Sequence, residues 1–218
     1  FGKWLQQARD WNISRNRFWG TPVPVWVCDA CDHRVVLGSK AAIEERYGNT
    51  ITDLHKEVLD GVVFPCACGG VYRRVPEVLD CWFETGAMPY AQAHYPFEHR
   101  DWFEGHFPAD FIIEYTGQLR CWFYYLHVLA VALFDRPAFT HCVVHGTILA
   151  KDGKKISKSK RNYTDPMALM HTHGSDALRL YLLQSNAAVM GDLYFDDEGV
   201  KAMVPQALLP LWNAYAFF

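Results

Sequence analysis

The sequence has no hydrophobic segment long enough to cross a lipid bilayer. Its longest apolar run, Trp122 to Phe134, has thirteen residues and includes His127, whereas a membrane-spanning helix needs about 20 residues. The run therefore predicts a buried helix, and we expect no membrane partner. The first residues also lack a signal-peptide pattern and an initiator methionine, so we expect an excised fragment of a longer protein.

The sequence also has little excess of either charge. Its 21 lysines and arginines face 24 aspartates and glutamates, for a net charge of −3, so bulk electrostatics give no reason to expect binding to nucleic acid. Half of its 218 residues are hydrophobic, enough to bury a sizeable core without disulfide bonds. One stretch departs from this balance, because Lys151 to Arg161 contains six basic residues and one acid, Asp152. On charge alone such a stretch is usually a solvated loop.

The cysteine pattern is typical of a reducing compartment. Of the seven cysteines, four form two close pairs and three stand alone in apolar surroundings. We therefore expect a cytoplasmic protein in which the single cysteines are buried. The paired cysteines are Cys28, Cys31, Cys66 and Cys68, and the single ones are Cys81, Cys121 and Cys142.

The paired cysteines have a spacing that favours a structural zinc site. Cys28-x-x-Cys31 and Cys66-x-Cys68 place two thiolate pairs on tight turns, which suits a tetrahedral site with four sulfur ligands. Such a site keeps no open position for catalysis, so the metal would hold an inserted module together. His33 is a rival ligand, although we expect it to face solvent.

The hydrophobic pattern predicts an α/β fold. Strand, helix, strand and helix in this order are typical of a doubly wound, Rossmann-type parallel sheet. Short polar helices are predicted between the two cysteine pairs, which indicates an insertion. The predicted elements are helices at Lys40–Tyr47, ended by Gly48, and at Asp53–Leu59; a buried strand at Phe111–Ile113; a helix at Thr116–Phe134; a strand at Thr140–His145; a helix from Pro166, capped by Asp165 and ended by Gly174; and a helix capped by Ser175 and running to about Gln184.

A lysine-rich loop after a predicted strand has the chemistry of a phosphate-binding segment. Lys155-Ile-Ser-Lys-Ser159 places ammonium groups beside small hydroxyls. A mobile cationic loop can close over a triphosphate and stabilise charge that develops on the leaving pyrophosphate. The preceding strand end is where ligands bind in doubly wound sheets. The candidate catalytic residues are Lys155 and Lys158, and the candidate ATP contacts are these two with His145, Gly146, Ser157 and Ser159.

A second group of candidates lies where a strand meets a helix. Glu114 ends the predicted strand and Gln118 lies on the first turn of the next helix, so both can face the crevice in which ligands of doubly wound sheets bind. The local alternatives are an edge carboxylate at Glu114 and ordinary core tryptophans at Trp82 and Trp122.

Together these segments resemble class I aminoacyl-tRNA synthetases. Lys155–Ser159 is similar to the KMSKS signature of that class, with Ile156 in the methionine position. The string Glu114–Phe123 resembles the pattern of the isoleucyl branch, and Val78–Gly86 is similar to its LDVWFDSG phrase. Trp11–Pro22 resembles the phrase that follows the editing insertion in isoleucyl, valyl and leucyl enzymes.

The resemblance implies an ATP-dependent ligase that activates isoleucine and transfers it to tRNA(Ile), with ATP bound as its magnesium complex. It implies that Glu114 and Gln118 hold the polar part of the adenylate and that Trp82 and Trp122 line the isoleucine pocket. Isoleucyl enzymes of the eukaryote-like subgroup carry similar cysteines in this region. We expect the parent enzyme to be a monomer.

The sequence departs from the family in several places. It has no HIGH-type motif and no editing domain, so we expect the isolated chain to be inactive. Gly117 and Cys121 stand where most members have Asp and Gly. Two alternatives remain, a valyl-tRNA synthetase core and a non-enzymatic zinc- and RNA-binding module derived from the synthetase fold.

The expected domains follow from these segments. They are residues 1–27, the start of the resumed catalytic core; 28–75, the inserted zinc-binding module; 76–174, the second half of the nucleotide-binding fold with the lysine-rich loop; and 175–218, a helical extension leading into an anticodon-binding bundle.

Overall fold

A computed structural model describes residues 2–218, which form two compact units. The first unit comprises the chain up to Phe107 together with Cys121–Arg136, and the second comprises Pro108–Arg120 and Pro137–Phe218. Among residues 2–218, no helix combines the length and apolar character needed to cross a membrane.

The first unit contains a four-stranded antiparallel sheet and six helices. The sheet has the strand order β3-β2-β5-β4, and a separate short antiparallel pair joins β1 to β6. Its elements are α1 (Gly2–Leu5), β1 (Ser14–Arg15), β2 (Val25–Cys28), β3 (Arg34–Val36), α2 (Lys40–Tyr47), α3 (Lys56–Leu59), β4 (Phe64–Pro65), β5 (Val71–Arg74), β6 (Val78–Leu79), α4 (Cys81–Ala91), α5 (Arg100–His106) and α6 (Trp122–Phe134).

The antiparallel sheet packs with α2 and α3 around its own apolar core. This core includes Trp26, Ile43, Val62 and Phe64, and the indole N–H of Trp26 donates to the carbonyl of Val62 at 2.8 Å. The sequence pattern did not predict the sheet, because its strands are only two to four residues long.

The two short helices of this region differ in how closely they match the predicted bounds. The prediction of α2 is confirmed, since the helix spans Lys40–Tyr47 and Gly48 ends it at φ 78°. The predicted start of α3 at Asp53 is wrong, because the Asp53 carboxylate accepts from the backbone N–H of His55 at 2.8 Å. That bond holds a turn, and the helix begins only at Lys56.

Helices α4 and α6 pack closely against each other. Gly86 permits this, because a Cβ at Gly86 would come within 3.0 Å of the Tyr125 carbonyl oxygen. Helix α6 buries Phe123, Leu126, Leu129 and Ala130, a helical spacing that matches the predicted buried helix.

The predicted start of that helix at Thr116 is wrong. Residues Thr116–Arg120 form a 3₁₀ turn, and Cys121 has φ −124° and ψ −111°, a backbone that an α-helix cannot contain. A Cβ at Gly117 would lie 2.5 Å from the Tyr115 ring, so the 3₁₀ turn folds tightly against the preceding strand.

The second unit contains two parallel strand pairs and four helices. Strand β7 (Ala109–Tyr115) pairs with β8 (Phe139–His145), and β9 (Ile148–Leu149) pairs with β10 (Leu193–Tyr194). The helices are α7 (Pro166–His173), α8 (Ser175–Leu183), α9 (Asp197–Met203) and α10 (Leu209–Phe217), with a 3₁₀ turn at Asn186–Val189 and a π-helical turn at Val204–Leu208. Helices α8 and α9 share a core of Ala177, Leu178, Val200 and Met203.

The β7–β8 pair confirms two parallel strands but not their burial. Ile112 is buried, whereas Phe111 is 62% and Ile113 is 52% exposed. A parallel strand is buried on both faces only where helices cover both faces of its sheet, and β7 has a single paired neighbour. The prediction of a buried strand at Phe111–Ile113 is therefore wrong.

The helix caps after the lysine-rich loop are confirmed in part. The Asp165 carboxylate accepts from the Met167 N–H at 2.7 Å, and Gly174 ends α7 at φ 88°. Ser175 does not cap α8, because it is already the first helical residue and Gly174 occupies the cap position.

Candidate functional sites

The lysine-rich loop begins with a tight turn after β9. Gly153 has φ 78°. Its N–H donates to the Ala150 carbonyl at 2.8 Å, and the Ala150 N–H donates to the Lys154 carbonyl at 2.9 Å. Lys155 then forms an antiparallel bridge with Leu149. The chain therefore doubles back on β9, and the signature residues follow immediately.

The signature residues form a closed turn with exposed cations. The Ser157 and Ser159 hydroxyls lie 2.8 Å apart, and the Arg161 N–H donates to the Ser157 carbonyl at 3.0 Å. Lys155 and Lys158 are exposed.

Ion pairs distinguish the lysines of this stretch. Lys151 pairs with Asp196 and Lys154 with Asp152, both at 2.8 Å. These carboxylates raise the pKa of Lys151 and Lys154 through hydrogen bonds and charge. Within residues 2–218, neither Lys155 nor Lys158 has a carboxylate within ion-pair distance, so both ammonium groups are free to meet an anionic ligand.

The carboxyl ends of β7 and β8 bring two candidate residues to one edge. Glu114 pairs in register with Val144, and Tyr115 pairs with His145, so Glu114 and His145 lie on adjacent strands at neighbouring positions. Gly146 follows in a buried position where its N–H donates to Ala187 at 2.7 Å. A Cβ there would lie 1.6 Å from the Gly191 carbonyl oxygen, so only glycine fits.

The remaining candidates are divided between the two units. Gln118 lies in the 3₁₀ turn after β7, in the same unit as Glu114. Trp82 and Trp122 lie in the first unit, on α4 and at the start of α6. Trp82 stacks on Tyr125 with ring centroids 5.5 Å apart, and the indole N–H of Trp122 donates to the Thr85 carbonyl at 3.2 Å.

The four paired cysteines come together at the ends of two hairpins. Cys28 and Cys31 flank the turn between β2 and β3, and Cys66 and Cys68 lie in the turn between β4 and β5. All four sulfur atoms lie within 4.8 Å of one another. Cys28 Sγ is 3.5 Å from Cys68 Sγ, and Cys31 Sγ is 3.9 Å from Cys66 Sγ.

This geometry and chemistry fit a tetrahedral zinc ion. Zinc–sulfur bonds of about 2.3 Å place neighbouring sulfurs roughly 3.8 Å apart. The Cys68 N–H and the Tyr72 hydroxyl donate to Cys66 and lower its pKa to about 6. The His33 N–H alone would lower the pKa of Cys31, but the neighbouring thiols of Cys68 and Cys28 raise it to about 12. Four cysteines so close together can all ionise only when a cation balances their charge.

His33 is not a member of this cluster. Its Nδ1 lies 2.6 Å from the Tyr72 hydroxyl. His33 therefore contacts Tyr72, which in turn donates to Cys66. The expectation that the single cysteines are buried is wrong, since Cys81 and Cys142 are exposed and Cys121 is half-buried. Cys142 is exposed because it lies on strand β8, most of whose residues are exposed.

Four further residues support these sites but were not among the sequence candidates. Gly70 and Tyr72 act through contacts across the sheet that no local motif reveals. Gly70 lies where a Cβ would come within 2.7 Å of Cys28 Sγ. Tyr72 contacts Cys66 and His33, Asp80 caps α4 beside Trp82, and Asn162 binds the backbone of the lysine-rich loop.

Known proteins show the same fold and closely related sequences. A family model described as tRNA synthetases class I (I, L, M and V) matches residues 1–196. The isoleucine–tRNA ligase of Treponema pallidum (strain Nichols) is 57% identical over 218 residues, which is 100% of this chain and 20% of the relative. The cytoplasmic isoleucine–tRNA ligase of Mus musculus is 53% identical over 219 residues, which is 100% of this chain and 17% of the relative.

A solved structure supports the fold independently. The agnB2 LeuRS of Agrobacterium radiobacter K84, in a ternary complex with tRNA and LeuAMS, matches with a TM-score of 0.64 and 24% identity, over 89% of this chain and 26% of that chain. The chain thus spans about a fifth of the length of the curated relatives it matches. Because the family model covers residues 1–196 of the 218, the chain belongs to the class I tRNA synthetases (I, L, M and V).

Proposed function

We propose that the chain is the segment of an isoleucine–tRNA ligase that binds ATP and isoleucine and forms isoleucyl-adenylate for transfer to tRNA(Ile). The observation that carries this proposal is identity of 53–57% along the whole chain to isoleucine–tRNA ligases from a bacterium and a mammal. The likeness includes the segments that hold the candidate site residues.

The second unit would bind the nucleotide. Lys155 and Lys158 would contact the phosphates of the magnesium–ATP complex, with the Ser157 and Ser159 hydroxyls beside them. When the isoleucine carboxylate attacks the α-phosphorus, the bond to pyrophosphate breaks and negative charge moves onto the leaving group. Exposed ammonium groups without a carboxylate partner can offset that charge in the transition state.

The strand ends would hold the adenosine and the adenylate. His145 and Gly146 would contact ATP, since glycine lets the backbone approach the ligand closely. Glu114 and Gln118 would bind the polar part of the adenylate. Trp82 and Trp122 would form walls of the isoleucine pocket, because large rigid rings supply apolar surface for a branched aliphatic side chain.

A structural zinc ion would be held by Cys28, Cys31, Cys66 and Cys68. Its role would be to join the two hairpins of a module spanning residues 28–75, next to the resumed core at 1–27. Residues 76–174 would form the second half of the nucleotide-binding fold, and 175–218 would lead to an anticodon-binding bundle. The protein would act in the cytoplasm as a monomer.

The test is isoleucine-dependent exchange of pyrophosphate with ATP by the full-length protein. We expect exchange with isoleucine to exceed exchange with valine by roughly 10² in kcat/KM, the discrimination a hydrophobic pocket gives for one methylene. A preference for valine would identify a valyl enzyme. Absence of exchange with either amino acid, together with retained RNA binding, would identify the non-enzymatic module.

A further inference from the structure

The side chain of Asn162 bridges the backbone of the lysine-rich loop. Its Oδ1 accepts from the Ser157 N–H at 2.9 Å, and its Nδ2 donates to the Lys155 carbonyl at 3.1 Å. We call this pair of hydrogen bonds the amide bridge. Both bonded residues belong to the segment that carries the candidate catalytic lysines.

The local backbone conformation places Asn162 at this position. Arg161 adopts the left-handed conformation at φ 48°, and its N–H donates to the Ser157 carbonyl. The chain therefore turns back on itself, and the next side chain reaches the segment that precedes the turn. Lys158 lies inside the turn closed by these bonds.

We infer that Asn162 is a positioning residue for adenylate formation, which holds Lys155 and Lys158 in the arrangement that meets the triphosphate. This inference rests on the proposed function of the loop. Charge stabilisation is most effective when the charged groups are ordered before the reaction. An amide suits the bridge because one group both accepts and donates, whereas aspartate accepts only and alanine does neither.

The amide bridge also determines which groups of the loop can contact a phosphate. The Ser157 N–H already donates to Asn162, so it is not available to a phosphate oxygen while the bridge is intact. The ligand-facing groups that remain are the two ammonium groups and the serine hydroxyls. Asn162 would therefore act through the lysines and would not touch the nucleotide itself.

The first experiment tests the amide bridge by hydrogen exchange, a measurement that does not depend on enzyme activity. Hydrogen exchange of the Ser157 amide is compared in the unsubstituted full-length protein, Asn162→Ala and Asn162→Asp. We expect at least tenfold faster exchange in Asn162→Ala and near-unchanged exchange in Asn162→Asp, which keeps the acceptor. Unchanged exchange in Asn162→Ala would overturn the bridge, whatever the activity of the protein.

The second experiment measures ATP–pyrophosphate exchange in the same variants, with Asn49→Asp and Asn49→Ala as matched controls in an exposed loop. We expect Asn162→Asp and Asn162→Ala to lower kcat by about 10- to 100-fold, less than loss of a direct charge contact. The KM for isoleucine and the thermal midpoint should change little, and both control variants should behave as the unsubstituted protein.

A double variant separates positioning from a merely structural role. Because Asn162 is inferred to act through both lysines, the loss in the Lys158→Ala/Asn162→Ala protein should be smaller than the product of the two single losses. Multiplicative losses, full activity in Asn162→Ala, or a loss explained by unfolding at the assay temperature would each overturn the inference. If the unsubstituted protein performs no exchange, the proposed function fails, while the hydrogen-exchange result still decides whether the bridge exists.

Discussion

At the residue scale, Asp80 shows how a buried carboxylate can organise a candidate pocket. Its side chain is 2% exposed, and it accepts from the Trp11 indole at 2.9 Å and from Arg15 at 2.6 Å. It also caps α4 by accepting from the Trp82 N–H. Burial desolvates the carboxylate, but the bonds from Trp11 and Trp82 and the Arg15 charge outweigh this and hold the pKa of Asp80 below its usual value.

We predict that Asp80→Asn destabilises the protein by about 1 to 3 kcal/mol at pH 7, because the half-buried donors of Trp11 and Arg15 lose a charged acceptor. A carboxyl whose folded-state pKa is depressed stabilises the fold above its ordinary pKa of 3.8 and loses this contribution as the pH falls further. The difference between the two proteins in urea unfolding should therefore shrink below about pH 4. Asp10→Asn, at an exposed position, is the control, and a pH-independent difference would contradict the assignment.

Local chemistry made some residues predictable from the sequence and left others hidden. The caps at Gly48, Asp165 and Gly174 depend only on neighbours within a few residues. Asp80 instead meets Trp11, 69 positions away, and the need for glycine at Gly146 comes from Gly191. Such requirements arise from tertiary packing, which no short motif records.

At the element scale, the two hairpins that carry the cysteine pairs form one four-stranded antiparallel sheet. Strand β2 pairs with both β3 and β5, so the two turns lie at the same end of the sheet. The cysteine spacing predicted the cluster but not the sheet, because pairing of strands more than 40 residues apart leaves little local pattern. The helix expected from Thr116 begins only after Cys121, whose φ of −124° and ψ of −111° interrupt a helical backbone.

We predict that the purified protein holds about one zinc ion and that Cys66→Ser loses it, because a hydroxyl is a poor replacement for a thiolate ligand. Cys142→Ser should keep its zinc, since Cys142 lies outside the cluster. Removing the metal with a chelator should speed hydrogen exchange in residues 25–75 more than in α8 and α9, because binding energy of the metal is folding energy of its module. Unchanged zinc content in Cys66→Ser would refute the ligand set.

At the scale of the whole molecule, the candidate residues fall into two groups that belong to different compact units. Trp82 and Trp122 lie in the first unit, and the lysine-rich loop lies in the second. The proposed function gives the first group to the amino acid and the second to ATP. Substitutions in the two groups should then affect different kinetic constants, which stability effects alone would not produce.

We predict opposite kinetic signatures for Trp122→Ala and Lys158→Ala in the full-length protein. Trp122→Ala should raise the KM for isoleucine at least about tenfold with little change for ATP, because it removes apolar contact with one substrate only. Lys158→Ala should lower kcat for ATP–pyrophosphate exchange on the order of 10²- to 10³-fold with isoleucine binding little changed, because its charge acts mainly in the transition state.

Matched controls make these signatures decisive. Trp102→Ala removes an exposed tryptophan of α5, and Lys160→Ala removes a lysine just outside the five-residue signature; both variants should retain nearly full exchange. Equal losses for isoleucine and ATP in Trp122→Ala would make Trp122 an ordinary core residue, since lost packing weakens both substrates together. Full exchange activity in Lys158→Ala would make the loop a solvated basic stretch, because a charge that offsets pyrophosphate formation cannot be removed without slowing the reaction.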